Sequence, residues 1–275
     1  MSGMDVQAYL DRIGYAGVPR VDLATLTELH RRHLRAIPYE SLDVLLGAPP
    51  GLDPAAAYDK IVRRGRGGWC YEMNGLLAAM LRAIGFQVTE MAGAVLRAER
   101  GAITLGNHLL LRVDLDRPYL ADTGFGDGMI EPVPMTPGAY RRGGFEFRVE
   151  ALAEDGWLRF HNHAHGGAAY YDFQDRPADP GQLGDTCRWL SHSPDSIFTQ
   201  TALAFRHGEG EVTSLVGRTL NRIRPGGRSS RLIATEREFV EILQREFGLD
   251  QPQAARLWPA ICAKHEQLFG ETAAS

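Results

Sequence analysis

A chain of 275 residues, 44% hydrophobic and 23% charged, can bury a substantial core and has the length of roughly one to three compact units. Its formal net charge of −4 gives no overall footprint for nucleic acid, although a basic cluster at Arg218, Arg222 and Arg224 could hold an anion. No stretch approaches the ~20 apolar residues of a membrane span, and the opening MSGMDVQAYLDR has an acid where a secretion signal has a basic start, so a cytoplasmic protein is expected.

The first third reads as helix. DVQAYLDRIG comes first; VDLATLTELHRRHLRAI then repeats Leu23, Leu26, Leu29, His30, His33, Leu34 and Ile37 at near-helical spacing until Pro38 ends the run. DPAAAYDKIVRRG puts Asp53 at an N-cap, Pro54 at the first helical position and Gly65 or Gly67 at the stop. From Cys70, the apolar residues Met73, Leu76, Leu77, Met80, Leu81 and Ile84 step by three and four, and Gly85 supplies a left-handed cap. After Phe86 the period changes. FQVTEMAGAVLRAE, NHLLLRVDL, RPYLADTGFG, FEFRVEAL, GWLRFHNHA and AAYYDFQ are short, β-branched or aromatic, and separated by turns, which predicts a small barrel or a curled sheet. Helices return at TEREFVEILQREFG, with a capping box at Thr235 and Glu238 and a stop at Gly248, and at DQPQAARLWPAICAKHEQLF. There is no internal repeat or low-complexity linker.

Cys70, Cys187 and Cys262 are odd in number, far apart and without a CxxC partner, so each is read as a free thiol. Cys70 stands in RGRGGWCYEMNGLL, where a glycine-rich turn becomes a helix. Unpaired backbone N–H groups and the positive end of the helix dipole should therefore lie beside its sulfur and lower its pKa. A nucleophilic thiol also needs a base, and something to orient that base. NHLLLRV offers His108 at the start of a strand, and the connection DLDRP returns the chain to YLADTGFG. Asp122 is thus expected level with His108, where it would fix the imidazole's tautomer. Spacing alone also fits a small buried cysteine beside a core histidine.

Other residues carry weaker signals. Cys187 and Cys262 lack a glycine turn and a matched histidine and read as packing residues. Gly124, Gly126 and Gly128 free their backbone to approach a phosphate but miss the dinucleotide fingerprint. HNHAH puts His161, His163 and His165 on one strand face with no carboxylate or Cys at ligand spacing, and no metal site is assigned. Glu72 and Asn74 read as groups that cap and fix the turn around Cys70, and Arg66 is expected to pair with a buried carboxylate such as Glu40.

Together, RGGWCYEMNGLL, HLLLRV and DTGFG resemble the signature segments of the arylamine N-acetyltransferase family. LHRRHLRAIPYESLDV and CRWLSHSPDSIFTQ are similar to two further segments, so the resemblance runs from about Tyr9 to the final helices. It implies an α+β fold with a cysteine-protease-like core: a helical bundle over 1–88, a central β-barrel over 89–190 and an α/β lid over 191–275. It further implies Cys70 as acyl-accepting nucleophile, His108 as general base and Asp122 as the histidine's partner. Acetyl-CoA would be a co-substrate and not a permanently bound cofactor. An arylamine, hydrazine or similar amine would accept the acetyl group in a ping-pong sequence through an acetyl-cysteine. Thr104, Gly124 and Gly126 are implied near acetyl-CoA, and Tyr39, Phe125 and Asn107 near the acceptor.

The chain departs from the family pattern at Tyr39 and Ser41, where Phe and Asn are usual, at Thr123 for Val and at His192 for Thr. These changes are expected to touch acceptor choice more than thioester chemistry. Two enzyme alternatives stay open: a cysteine hydrolase or transglutaminase-like acyl-transferase that does not use CoA, and an amide-forming enzyme of a biosynthetic pathway as opposed to xenobiotic metabolism. A catalytically silent binding protein is a third. No nucleic-acid or membrane partner is expected, and self-association is left open.

Overall fold

The computed structural model describes residues 3–154 and 156–269. Its first helices begin where carboxylates take up orphan N–H groups: Asp5 accepts from Gln7 ahead of Val6–Arg12, and Asp22 from Thr25 ahead of Leu23–Ala36. Leu26, Leu29, His30, His33 and Leu34 face inward, whereas Leu23 is exposed. Asp53 caps the helix Pro54–Tyr58, which continues as a wider π-type turn over Asp59–Arg63 instead of running as α-helix to the glycine. The helix Cys70–Ile84 is buried on nearly every side and ends at Gly85 with φ +115°. Tyr9, Leu26, Leu29, Tyr58, Met73 and Leu77 close the core of this bundle.

The central sheet has eight antiparallel strands. In spatial order they are Val133–Pro134, Pro118–Ala121, His108–Asp114, Gln87–Val95, Tyr170–Gln174, Trp157–His161, Phe145–Ala151 and Gly138–Arg142. Met91, Leu110, Leu120, Val133, Phe147, Phe160 and Tyr171, from separate strands, meet in one core, so the sheet curls on itself like a barrel. Two stretches read as continuous strand stop early. Leu96 takes a left-handed conformation (φ +56°) and turns the chain into a short helix at Arg97–Arg100. Beyond Ala121 the backbone N–H groups of Asp122, Thr123 and Gly124 are taken by side chains and not by a neighbouring strand, so the ladder ends and a loop begins.

The helix Pro180–His192 crosses residue 190 and leads to a second sheet of five strands. Tyr39–Glu40 lies at its edge, followed by Leu203–His207, Val212–Val216, Thr219–Arg224 and Gly227–Leu232. A strand from the first third of the chain therefore completes the C-terminal unit. The helix Glu236–Phe247 buries Phe239, Ile242, Leu243 and Phe247 against Leu215 and Leu220 of this sheet. Thr235 accepts from Glu238 N–H as the capping box requires, but the Glu238 carboxylate bonds Ala234 N–H, one residue short of the reciprocal partner. The last helix is Trp258–Phe269. The outermost residues of the expected first and third units, 1–2 and 270–275, lie outside the described residues. Among the described residues, no helix is long and apolar enough to cross a membrane. The whole is the α+β arrangement of helical bundle, barrel-like sheet and C-terminal α/β unit.

Candidate active site

The turn before Cys70 fits only because it lacks side chains: a Cβ on Gly67 would lie 2.1 Å from the Pro38 carbonyl oxygen. Glu40 N–H donates to Gly68 O at 2.9 Å, so the edge strand of the second sheet braces this turn. A buried cluster of charge sits below. The Arg66 guanidinium bonds Glu40 and Asp43, each at 2.7 Å, and the Lys60 ammonium lies 2.9 Å from both Asp43 and Glu72. Glu72 in turn accepts Trp69 N–H at 3.2 Å, which caps the Cys70 helix. Burial works against a charged Lys60, but Glu40, Glu72 and Asp43 outweigh it and raise its pKa. Burial also pushes the Glu72 carboxyl up to about 7, against the pull of Lys60. The expected Arg66–Glu40 pair is present; Lys60 and Asp43 carried no sequence signal, because nothing local shows that a lysine will be buried.

Asp122 reaches His108 diagonally and not level with it. Leu111 stands opposite Ala121, so one further step sets Asp122 against Leu110, two residues from His108 and on the same face. His108 Nε2 lies 2.7 Å from Asp122 Oδ2. Asp122 Oδ1 also accepts from Asn74 Nδ2 at 2.8 Å and from Gly124 N–H at 2.9 Å. Burial alone would raise its pKa; the neighbouring His108 and these three hydrogen bonds outweigh that and hold the carboxyl below its usual range. An ionised carboxylate only accepts, so Nε2 carries the imidazole proton and Nδ1 has a free lone pair.

The Asp122 loop lies directly on Cys70, since a Cβ on Gly124 would come within 2.6 Å of Cys70 Cα. The backbone N–H groups of Leu109 and Tyr71 are close enough to the sulfur to favour its charged form. Cys70, His108 and Asp122 are all buried, with the Asp122 carboxylate on His108 and its loop on the start of the Cys70 helix. The thiol departs from expectation, however. Its burial pushes the pKa up, and the charge of Asp122 adds to this, while the Leu109 and Tyr71 amides oppose it. A helix start does not by itself favour the thiolate once water is excluded.

Asn74 is more than a cap. It donates to Leu109 O and Asp122 and accepts from Thr123 N–H and the Thr123 hydroxyl. Thr123 is thereby tied, through Asn74, to the support of Asp122. Sequence reasoning missed Tyr171, whose hydroxyl is buried and whose ring centre lies 5.0 Å from His108 and 4.8 Å from Phe125. Burial, then the Asp122 charge, raise its pKa. Only the bulk of an aromatic in AAYYDFQ hinted at it.

The implied ligand contacts divide into two groups. Phe125 packs 5.3 Å from His108, while Tyr39 meets Phe205 edge-on at 5.5 Å and Gly126 rests on the same Phe205 ring. Thr104 and Asn107 instead line a separate cavity of about 150 Å³ with Val95, Leu190, Ile197 and Phe198. Their side chains are spent on backbone, Thr104 donating to Gly101 O and Asn107 accepting from Val95 N–H. Ser41 Oγ is buried without a partner, and His192 bonds Arg188 O on an exposed helix end.

The remaining signals disperse. His161 bonds Glu150, whereas His163 bonds Asp127 O, and among the described residues no group of three such side chains is gathered for a metal ion. Arg222 and Arg224 are paired with Glu246 and Glu211. Cys187 is buried with its sulfur on Pro50 O, and Cys262 is half-buried.

A helix-borne thiol, a strand-borne imidazole and a carboxylate on the loop that follows the next strand, in this three-part arrangement, define the cysteine-protease-like class of α+β proteins. Comparison narrows it. An N-acetyltransferase family model matches residues 22–255. The arylamine N-acetyltransferase, pineal gland isozyme NAT-3, of Gallus gallus is 32% identical over 276 residues, covering 90% of this chain and 94% of that protein. The Nocardia farcinica arylamine N-acetyltransferase structure is 36% identical with a TM-score of 0.82, over 96% of this chain and 94% of its own. The Mycobacterium marinum arylamine N-acetyltransferase in complex with CoA is 29% identical with a TM-score of 0.84, over 96% and 99%. The chain belongs to the arylamine N-acetyltransferase family.

Proposed function

We propose that the protein moves an acetyl group from acetyl-CoA to an arylamine, hydrazine or similar amine through an acetyl-cysteine at Cys70. The observation that carries this reading is the His108–Asp122 pair, closed by a 2.7 Å hydrogen bond, on a loop that lies against Cys70 at Gly124. With its Nε2 proton held by Asp122, His108 uses Nδ1 to take the Cys70 proton. The thiolate adds to the acetyl carbonyl of acetyl-CoA, the carbon–sulfur bond to CoA breaks, and the CoA sulfur leaves with the proton from His108. Both donor and product are thioesters, so this half is near thermoneutral and needs only a lower barrier. An amine then adds to the acetyl-cysteine and passes a proton through His108 to the departing Cys70 sulfur, leaving a more stable amide.

Burial suits this chemistry. It keeps water from hydrolysing the thioester, and the ion pair formed as His108 takes the proton offsets the cost of a buried thiolate. The Leu109 and Tyr71 amides close to the sulfur support a role as donors to the tetrahedral oxyanion, beside the amide of Cys70 itself. Phe125 and Tyr39 would contact the acceptor, and Thr104 acetyl-CoA; Gly126, expected near acetyl-CoA, shares Phe205 with Tyr39, and Asn107, expected near the acceptor, shares the cavity of Thr104, so we exchange their sides, while Gly124 rests on Cys70. Residues 1–88 bring the nucleophile, 89–190 the base and its partner, and 191–275 the cover, with the Pro180–His192 helix joining the last two.

Incubation with acetyl-CoA alone, followed by intact mass measurement, should add one acetyl group and release one CoA. The adduct should vanish in Cys70→Ala and discharge when an arylamine is supplied. A reactive Cys70 that takes no acetyl group overturns acetyl-CoA as donor and favours the hydrolase or transglutaminase-like reading.

A further inference from the structure

His30, on the helix Leu23–Ala36, is fully buried and spends both ring nitrogens on one loop. Its Nε2 lies 3.0 Å from Asp122 N, and its Nδ1 lies 3.0 Å from Ile130 O. A backbone N–H only donates and a carbonyl only accepts, so the ring is the neutral Nδ1–H tautomer. One imidazole thus ties together the two ends of the segment that carries Asp122, Gly124 and Phe125. Without it, the Asp122 N–H would be buried and unpaired, since the strand ladder has ended at Ala121.

We infer that His30 is a positioning residue for the acyl-transfer centre: its Nε2 holds the backbone of Asp122, and through it the carboxylate that orients His108. The inference rests on the reading of Cys70, His108 and Asp122 given above. Two other imidazoles grip the same segment but only as donors, His207 to Gly126 O and His163 to Asp127 O, each at 2.9 Å. Their bonds survive protonation, whereas the acceptor role of His30 does not. Asp122 and Glu131 draw His30 towards its charged form; burial outweighs both and keeps its pKa down. His33, on the same helix, and His207, from the second sheet, also feel its charge.

The two nitrogens can be separated by substitution. In His30→Gln the amide reaches the Nε2 position and still accepts from Asp122 but loses Ile130; in His30→Asn the amide sits near Nδ1, keeps Ile130 and loses Asp122. The readout is the pH profile of Cys70 alkylation by iodoacetamide, with thermal stability recorded alongside. His30→Asn should move the profile to higher pH, slowing alkylation at neutral pH about tenfold if the midpoint rises by about one pH unit, while His30→Gln stays close to the parent. Equal displacements, none at all, or the reverse order overturns the inference even where both variants lose stability. Should either variant fail to fold, ¹⁵N spectra of the unaltered protein decide: an Nε2–H tautomer at His30 sinks the proposal and an Nδ1–H tautomer upholds it. Alkylation uses no acyl donor, so these results stand whether or not acetyl-CoA acylates Cys70.

Discussion

Asp122 concentrates the residue-scale argument, because three donors hold it and a single proton on His108 depends on it. Replacing it with Asn is close to isosteric, yet the amide can offer an N–H to His108 Nε2. The ring then moves its proton to Nδ1, the nitrogen that must accept from Cys70. For Asp122→Asn we expect a loss in kcat of about 10⁴-fold with the fold retained, measured as amide formation from acetyl-CoA and an arylamine; an unchanged rate and pH profile would refute the assigned role. The His108–Asp122 pair was legible because a short connection between two strands brings nearby residues onto one face. The roles of Asn74 and Thr123 were not, since they depend on a loop that leaves the ladder after Ala121. Nor was the raised thiol pKa, because burial from every side is a property of the assembled molecule.

Elements supply the bracing. The turn before Cys70 sits over Lys60 and Arg66, which face the three carboxylates of Glu40, Asp43 and Glu72. Lys60→Met leaves those carboxylates with Arg66 alone, and breaking such a buried network costs about 3–5 kcal/mol, to be read by denaturant unfolding. The deficit should also depend on pH. Glu72 already titrates at about 7, above an ordinary carboxyl, and loss of Lys60 raises it further. Acidification then neutralises Glu72 in the folded variant, so the deficit shrinks from pH 8 to pH 5.5; a constant deficit would show that Glu72 is not the group left exposed to unpaired charge. Element legibility followed burial pattern. Helices with one apolar stripe announced themselves through their period. The strand Val212–Val216 has its first four residues buried, and Gly227–Leu232 is exposed along most of its length, so neither shows the alternation by which a half-buried strand is recognised.

At the scale of the whole molecule, buried histidines set the response to acid. Burial pushes His163 and His207 down to about 4, and lowers His30 and His33 as well. Each takes up a proton near 6.5 when unfolded, so the stability it contributes is present above that value and falls away below it, for His163 and His207 as pH falls through about 4. Glu72 acts in the opposite sense between about 7 and 4.5. Between pH 6 and 5, unfolding should therefore take up protons through these histidines, and His207→Gln should reduce the slope of stability against pH by about one proton. An unaltered slope would mean that His207 is charged in the folded state.

The edge strand Tyr39–Glu40 lies between Leu203–His207 on one side and the Gly67–Gly68 turn on the other. On the ribosome, residue 70 is made long before residues 203–207 emerge. The nascent bundle must therefore wait for distant chain before its sulfur-bearing turn has a fixed neighbour, a long-range pairing of the kind that slows folding. The brace on this turn is thus withheld until about 130 further residues have been made, and a product ending before residue 203 would carry Cys70 without its fixed neighbour.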